Sequence, residues 1–288
     1  MNNRQPYVKA CMDEIDRYRG GYFNERPWLR QAFGSVPREH FVPDRVWWPD
    51  RDADGLYPVL DRTADPERWL QAVYSPSAAL ITQIADGAVK PEDGPTDCGD
   101  FTSSISCAAV VVNMLHHLDP QSGETILEVG TGTGYNTALL AHRVGADRVV
   151  TVEIDPTTAE QAAANLHGLD RPAPTVVTGD GERGYPVRAP YDRLISTACV
   201  REIPAAWMEQ VRAGGIIVTP IATPFGTDAL AQLTADGTGH ATGRLVTAVD
   251  FMFVRSQRAF RPWRELGWPR LPDFQVTAGP NGQEIRQH

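Results

Sequence analysis

The sequence predicts an α/β protein with a doubly wound, mainly parallel sheet that is closed by an antiparallel hairpin. Apolar strand segments alternate with helical segments after residue 107, a glycine-rich turn follows the first of those strands, and two strand segments flank a DGTG turn at 236–239. Alternation of this kind is typical of parallel sheets with helices on both faces. A short turn between two apolar segments predicts an antiparallel pair.

The elements follow in a regular order after residue 107. We expect helices at 107–118, 136–144, 156–168 and 203–215, strands at 125–130, 148–154, 174–180, 191–198 and 216–222, and the hairpin at 229–254. Pro120 ends the first helix, and Pro156 suits the first turn of the third.

Composition divides the chain into four segments. Residues 1–48 predict a helical lead-in, because helical spacings recur there between Gly and Pro breaks. Residues 49–105 are rich in Asp, Pro and Gly and predict a long, irregular insertion on the substrate side; such loops are often functional. Residues 106–255 carry the alternating pattern, and 256–288 form a tail without a clear period.

Length and charge limit the class of protein. The 288 residues, 42% hydrophobic, suffice for one medium-sized domain with additions. The first twenty residues lack the apolar core of a secretory signal, and the apolar segment 107–118 is too short to span a membrane. A net charge of −9 is unsuited to binding nucleic acid. We therefore expect a cytoplasmic protein that binds neither nucleic acid nor a membrane.

The four cysteines are scattered and include no CxxC pair. This pattern argues against a zinc site or a disulfide framework and fits a reducing compartment. Cys98 and Cys199 remain candidates for a nucleophile, although no motif links either to a histidine or an acid.

The turn after the first parallel strand reads ExGxGxG at 128–134. Open α/β sheets bind ligands at this position. The spacing fits neither the dinucleotide fingerprint GxGxxG nor the phosphate loop GxxxxGK[ST]. Glycines let the backbone approach an extended ligand, and Glu128 can either anchor the loop or accept a hydrogen bond from a ligand amine.

This pattern resembles the S-adenosylmethionine (AdoMet) loop of Rossmann-like class I methyltransferases. The resemblance implies that Glu128, Gly130, Thr131, Gly132 and Gly134 bind the cofactor.

Acids at the ends of the next two strands support the same interpretation. Glu153, followed by Ile154, is placed to accept both ribose hydroxyls, and Asp180 and Gly181 are placed to bond the adenine amine and ring. Each acid alone could be a solvated strand end or a turn residue. Their order on the predicted elements favours an AdoMet site.

The chain as a whole resembles the protein-L-isoaspartate O-methyltransferases. The resemblance spans residues 27–234 and is carried by VPREHFVP at 36–43, ILEVGTGTGY at 126–135, GDG at 179–181, APYD at 189–192 and AGG at 213–215. It implies that Ser106 is the active serine of the segment TSSISCA at 102–108, with Ser104 where the family has threonine and Ala108 where it has proline.

Ser106 has two interpretations that can hold together. It can be the N-cap of a helix that begins at Cys107, or its hydroxyl can bond and orient a substrate carboxylate. The resemblance also implies a substrate floor after the fourth strand, with Val200 and Arg201. Arg201 can pair with peptide acids or form an exposed salt bridge.

The altered TSSIS segment, the insertion and the C-terminal hairpin resemble a subgroup encoded beside ribosomally made, modified peptides of the lanthipeptide and graspetide type. That resemblance implies AdoMet-dependent methylation of an ordinary aspartate in a macrocyclic precursor peptide, through the methyl ester to aspartimide or isoaspartate. The alternatives are a housekeeping isoaspartate repair methyltransferase and a catalytically silent AdoMet-binding protein that recognises a peptide. The identity of the peptide and the oligomeric state stay open.

Overall fold

The structure is a computed structural model that describes residues 4–169, 171–258, 272, 274–279 and 282–287. The chain divides into two units, Met1–Ser256 and Gln257–His288. In the described part of the chain, no helix is both long and apolar enough to cross a bilayer.

The larger unit begins with helices, as the sequence predicts for this segment. They are α1 (Gln5–Arg19), α2 (Tyr22–Glu25) and α3 (Pro27–Ser35), followed by a 3₁₀ turn at Arg38–Phe41. Gly20 and Gly21 separate α1 from α2 because both have positive φ, +71° and +92°, which glycine adopts without a steric penalty. The segment 36–43 then leads from the helices into the first sheet.

A four-stranded antiparallel sheet, counted over the described residues, occupies the segment for which the sequence predicts an irregular insertion; that prediction is wrong. The elements are β1 (Arg45–Trp47), β2 (Val59–Asp61), α4 (Pro66–Val73), β3 (Leu80–Ile84) and β4 (Phe101–Ile105), in the strand order β2-β1-β3-β4. The buried side chains of Trp47, Ile81 and Ile84 form a small core of its own. Its last strand leads directly into the catalytic segment expected from the sequence.

The second sheet has seven strands within the described residues and contains the predicted alternation. Its elements are α5 (Ala108–Leu118), β5 (Ile126–Val129), α6 (Tyr135–Val144), β6 (Val149–Glu153), α7 (Pro156–His167), β7 (Thr175–Thr178), β8 (Tyr191–Ser196), α8 (Ala205–Gln210), β9 (Val211–Ala222), β10 (Asp228–Ala235) and β11 (Ala241–Val249). The order is β11-β10-β9-β8-β5-β6-β7. Strands β5 to β9 pair in parallel, whereas β9, β10 and β11 pair antiparallel. The predicted fold class, a doubly wound and mainly parallel sheet with a closing hairpin, is confirmed.

The central strands are buried on both faces, as parallel strands usually are. Leu127 and Val129 belong to one hydrophobic cluster and Ile126 to another, so helices cover the sheet from both sides. The largest difference from the predicted boundaries is at residues 211–215, which were expected as the end of a helix and are the start of β9. Every parallel strand therefore ends at the same edge of the sheet, where ligands bind in such folds.

The smaller unit contains a two-stranded antiparallel sheet, β12 (Phe274–Gly279) with β13 (Gly282–Gln287). The sequence predicts no period in this tail. Trp263 and Trp268 lie outside the described residues.

Candidate active site

Glu128 holds the glycine turn to the first turn of helix α6. Its side chain is fully buried, and its two carboxylate oxygens accept hydrogen bonds from Asn136 Nδ2, at 2.7 Å, and from Thr137 Oγ1, both in the first turn of α6. Burial raises the pKa of Glu128 to about 7, although these bonds oppose the shift. Of the two roles left open for Glu128, the geometry supports anchoring of the loop.

The glycines of the turn have different neighbours. Gly130, Gly132 and Gly134 all have positive φ, +86°, +54° and +90°. A Cβ at Gly130 would lie 2.6 Å from Thr197 Oγ1, so the turn packs against the end of β8. A Cβ at Gly134 would lie 3.3 Å from Leu166 of α7, which makes this glycine a helix-packing position. Gly130 and Gly134 therefore let the turn pack closely against the end of β8 and against α7.

Two polar side chains hold the turn to the neighbouring strand β6. Thr131 is buried, with its Oγ1 2.7 Å from Thr151 Oγ1. Glu153 accepts from the backbone N–H of Gly132 at 3.0 Å and from that of Asp155 at 3.1 Å. The ends of β5 and β6 are thus one connected unit.

Glu153 is placed to bond two ligand hydroxyls. It is 8% exposed, and Gly132 and Asp155 each donate a backbone N–H to one of its oxygens, with a further backbone interaction from Ile154, so that the carboxylate keeps acceptor capacity for a ligand. Burial raises the pKa of Glu153, whereas the bonds from Gly132 and Asp155 oppose the shift. Ile154 beside it is an exposed apolar side chain at 37%. An acid next to an exposed apolar surface suits a ribose next to an adenine.

Asp180 and Gly181 follow β7 at the same edge. Asp180 Oδ1 accepts from the backbone N–H of Glu182 at 3.0 Å and so caps a 3₁₀ turn. A Cβ at Gly181 would lie 2.5 Å from a methyl of Val129, and its carbonyl accepts from Trp207 Nε1 at 2.8 Å. Glycine is required here because the turn packs directly on β5.

The segment 102–108, which is expected from the sequence to be the catalytic segment, passes beside the glycine turn. A Cβ at Gly132 would lie only 3.5 Å from the backbone oxygen of Ser104, so β4 and the turn are in contact. Ser106 follows immediately after β4 and is half-buried. The structure therefore brings Ser104 and the glycine turn together, although they come from different sheets, and Ser106 lies two residues beyond this contact.

Ser106 is not the N-cap of the following helix, contrary to one of its two interpretations. Helix α5 begins at Ala108, Cys107 occupies the N-cap position, and no side chain caps this end. The helix starts one residue later than the sequence predicts. The Ser106 hydroxyl is thus not committed to a cap.

Arg38 holds the catalytic segment and was not identified from the sequence as a site residue. It is fully buried, and it donates from Nη2 to the carbonyl of Ser106 and from Nε to that of Val73, each at 2.7 Å. Its guanidinium lies 4.9 Å from the centroid of the Tyr135 ring, at the start of α6. Its place in the VPREHFVP segment was the only signal for it.

The segment after β8 differs from the expected substrate floor. Val200 is fully buried, and its N–H and carbonyl bond Pro220 and Ala222, so it offers no accessible atom to a substrate. Arg201 is exposed, and its guanidinium lies 4.5 Å from the centroid of the Phe253 ring. Burial raises the pKa of Cys199 to about 12, which argues against a thiolate nucleophile there.

Residues 252–256, the closing segment, cross the carboxyl edge of the sheet. Cys199 donates its N–H to Met252 at 2.8 Å and accepts from Val254 at 2.9 Å. Arg255 Nη2 then lies 3.0 Å from Asp86 of the first sheet and 3.4 Å from Asp155, next to Glu153. The closing segment therefore links the ends of β8 and β6 to the first sheet.

These residues fit an AdoMet molecule. The turn is built of glycines with positive φ that pack closely on β8, β4 and α7, an acid with acceptor capacity ends β6, and an exposed apolar side chain stands beside that acid. AdoMet has matching parts in its extended methionine moiety, its ribose diol and its adenine ring.

Comparisons with known proteins agree with this geometry. The sequence model of the family "Protein-L-isoaspartate(D-aspartate) O-methyltransferase (PCMT)" matches residues 92–259. A protein-L-isoaspartate O-methyltransferase of Ignicoccus hospitalis is 36% identical over 156 residues, which are 54% of this chain and 74% of that protein. The enzyme of the same name from Methanoculleus marisnigri is 42% identical over 165 residues, 57% of this chain and 74% of that protein.

Solved structures share the fold. A protein-L-isoaspartate O-methyltransferase superimposes with a TM-score of 0.63 at 22% identity, over 87% of this chain and 65% of that one. A Plasmodium falciparum protein described as a possible member of the same enzyme class, in complex with S-adenosyl-L-homocysteine, superimposes with a TM-score of 0.61 at 14% identity, over 88% of this chain and 99% of that one.

Proposed function

This chain belongs to the protein-L-isoaspartate O-methyltransferase family, and we propose that it methylates the free carboxylate of an isoaspartyl residue in a peptide or protein. The family assignment confirms the predicted enzyme class, an AdoMet-dependent carboxyl O-methyltransferase, and the predicted cofactor. The names of the relatives favour an isoaspartyl substrate over the modified precursor peptide that the sequence alone placed first.

The chemistry needs little from the protein beyond placement. Bound AdoMet supplies an electrophilic methyl group on a sulfonium. A carboxylate is ionised at neutral pH, so its oxygen forms the new bond to the methyl carbon without a general base, while the electron pair of the broken bond goes to sulfur. The work of the site is to exclude water and align the carboxylate.

Ser106 is the group we assign to this alignment. Its hydroxyl, which is not used as a helix cap, donates to one oxygen of the substrate carboxylate and directs the other toward the methyl group. Arg38 acts as a positioning residue, because it fixes the carbonyl of Ser106 from the buried side. Glu153 and the glycine turn hold the cofactor against β4.

One contact carries the proposal: β4 touches the glycine turn at Ser104 and Gly132. Through this contact the segment expected to hold the substrate and the turn expected to hold the cofactor lie side by side. An AdoMet-binding protein without activity would have no need for an uncommitted hydroxyl two residues beyond this contact.

The test is methylation of matched peptides. We expect transfer to a linear isoaspartyl peptide, seen as a mass gain of one methyl with release of S-adenosylhomocysteine, and no transfer to the same peptide with ordinary aspartate. Ser106→Ala is expected to lose most turnover, whereas Ser77→Ala, at an exposed serine, keeps it. A parent protein that binds AdoMet and methylates neither peptide would overturn the proposal in favour of the silent binding protein.

A second candidate is methylation of an ordinary aspartate in a macrocyclic, modified peptide. The four-stranded sheet β1–β4 supports it, because Ser106 directly follows the last strand of this sheet, which offers a surface for a large, preorganised ligand. In that case a cyclised precursor gains one methyl and then loses methanol to form an aspartimide. Faster turnover of the linear isoaspartyl peptide than of the cyclised one contradicts this candidate.

A further inference from the structure

A cavity of about 770 Å³ lies in the larger unit between the segment 37–44, the loop 82–91 and helix α7. Its volume falls within the range of about 300 to 1,000 Å³ that is typical of ligand sites. Of the residues expected to hold AdoMet, only Gly132 lines this cavity. The cavity is therefore a neighbour of the cofactor site and is not the cofactor site itself.

The cavity lies beside β4 and adjoins the glycine turn. Ser103 lines it, and a Cβ at Gly132, which also lines it, would lie 4.0 Å from Ser103 Oγ. Ser106 is three residues from Ser103, a span of about 10 Å in extended chain. An extended peptide whose reacting residue lies at Ser106 reaches the cavity within about three residues.

The charges of the cavity do not balance. Its two acids are each paired with an arginine, Glu39 with Arg4 at 3.8 Å and Asp44 with Arg62 at 3.3 Å. Lys90 at the rim is exposed, and no carboxylate of the described residues lies within ion-pair distance of it. The cavity thus has one uncompensated positive charge at its mouth.

We infer that this cavity binds the peptide segment that flanks the methylated residue, and that Lys90 selects an acidic side chain in that segment. The lining combines hydroxyl and amide groups with apolar ones, among them Thr82, Gln83, Thr133, Phe41, Val42 and Val89. This mixture suits the backbone and side chains of a polypeptide, and a single cation matches one carboxylate. The inference rests on the proposed function, because it takes the substrate peptide as the occupant.

The test uses Lys90→Ala and Lys90→Glu, with Lys9→Ala as the matched control. Lys9 is the only other lysine of the sequence, and it is exposed on α1, where it pairs with Asp13. The substrates are linear isoaspartyl peptides with one glutamate placed two, three or four residues to either side, and the same peptides with glutamine instead.

For the parent we expect a lower KM with glutamate than with glutamine at one of these positions. Lys90→Ala should raise the KM for that glutamate peptide about threefold to fivefold, the effect of an exposed ion pair, without change in kcat. Lys90→Glu should make glutamine the preferred residue, and Lys9→Ala should match the parent. An equal KM for the glutamate and glutamine peptides in the parent, or an unchanged KM in Lys90→Ala, overturns the inference.

A second measurement separates this inference from the proposed function. The glutamate peptide carries an N-hydroxysuccinimide ester at its C-terminal carboxyl, so that the glutamate keeps its carboxylate. It is incubated with the AdoMet-loaded protein, and the acylated lysine is identified by peptide mass mapping. Preferred labelling of Lys90 over Lys9 supports the cavity as the peptide site even if no peptide is methylated, which would count against the proposed function alone. Equal labelling of both lysines overturns the inference even if methylation is observed.

Discussion

Replacement of Arg38 by methionine should destabilise the fold and also slow methyl transfer. The guanidinium is fully buried and donates to two carbonyls, those of Val73 and Ser106, at 2.7 Å each. Methionine has a similar length and fills most of the space, but it has no donor. Two buried carbonyls therefore lose their partners, one of them on Ser106, the proposed catalytic residue.

The magnitude follows from these two bonds. A buried acceptor left without a donor costs about 1 to 3 kcal/mol, so the pair gives about 2 to 6 kcal/mol. Removal of the guanidinium also removes the cost of burying its charge, since no carboxylate of the described residues pairs with it and its Nη1 has no hydrogen-bond partner. We therefore expect a loss of about 2 to 4 kcal/mol in the free energy of unfolding.

The assay is urea unfolding followed by circular dichroism, together with steady-state kinetics. The control is Arg188→Met, because Arg188 also donates to a backbone carbonyl, that of Asp147 at 2.9 Å, but from an exposed position. We expect the control to stay within about 0.5 kcal/mol of the parent. In Arg38→Lys, which keeps the charge, kcat should fall while the affinity for AdoMet does not change. Equal stability of Arg38→Met and Arg188→Met would refute this reasoning.

Four other variants test individual contacts. Glu153→Ala should weaken AdoMet binding in calorimetry by two charge-assisted bonds, about 1.5 to 3 kcal/mol each, and unchanged affinity would remove it from the site. Ser106→Ala should lower kcat more than AdoMet affinity and leave the melting temperature unchanged; full turnover contradicts its role. Glu128 has a folded pKa raised from 4.5 to about 7, so its contribution to stability is complete below 4.5 and is lost as the pH rises through 7. Glu128→Gln should remove this loss between about pH 5 and pH 8 in urea titrations, and an identical pH dependence of parent and variant would contradict the assignment. Gly181→Ala places a Cβ 2.5 Å from a methyl of Val129 and should lower the free energy of unfolding by about 1 to 3 kcal/mol in the same titrations. A free energy equal to that of the parent would show that β5 shifts at little cost to accommodate the added methyl group.

The second sheet was predictable because its signals are local. Parallel strands buried on both faces are continuous apolar runs, and the first two, β5 and β6, are each followed by a helix of ordinary length. The positions of Glu128, Glu153 and Asp180 follow from this order alone. Helix α8 was predicted too long because its last residues have no local mark of a strand; Gly214, with a φ of +77°, instead lies within β9.

The first sheet and the buried arginine were not predictable in the same way. Strands β1 and β2 have three residues each, too few to show a period of two, and Trp47 pairs with Ile81, which is far along the chain. An arginine in a sequence suggests the surface, because this residue is seldom fully buried. Arg38 is buried because carbonyls 35 and 68 residues away accept its hydrogen bonds, and only tertiary structure brings them there.

The closing segment has a consequence for how the protein is made. Residues 252–256 leave the ribosome last among the parts of the larger unit, yet they bond the ends of β8 and β6 and, through Asp86, the first sheet. Chains fold from the N-terminus during synthesis. The parallel sheet can therefore assemble first, while its carboxyl edge is still open to solvent. A cofactor that binds the nascent chain therefore meets the open carboxyl edge of the sheet. Arg255 forms its ion pairs with Asp86 and Asp155 only after residue 255 has been synthesised and has left the ribosome.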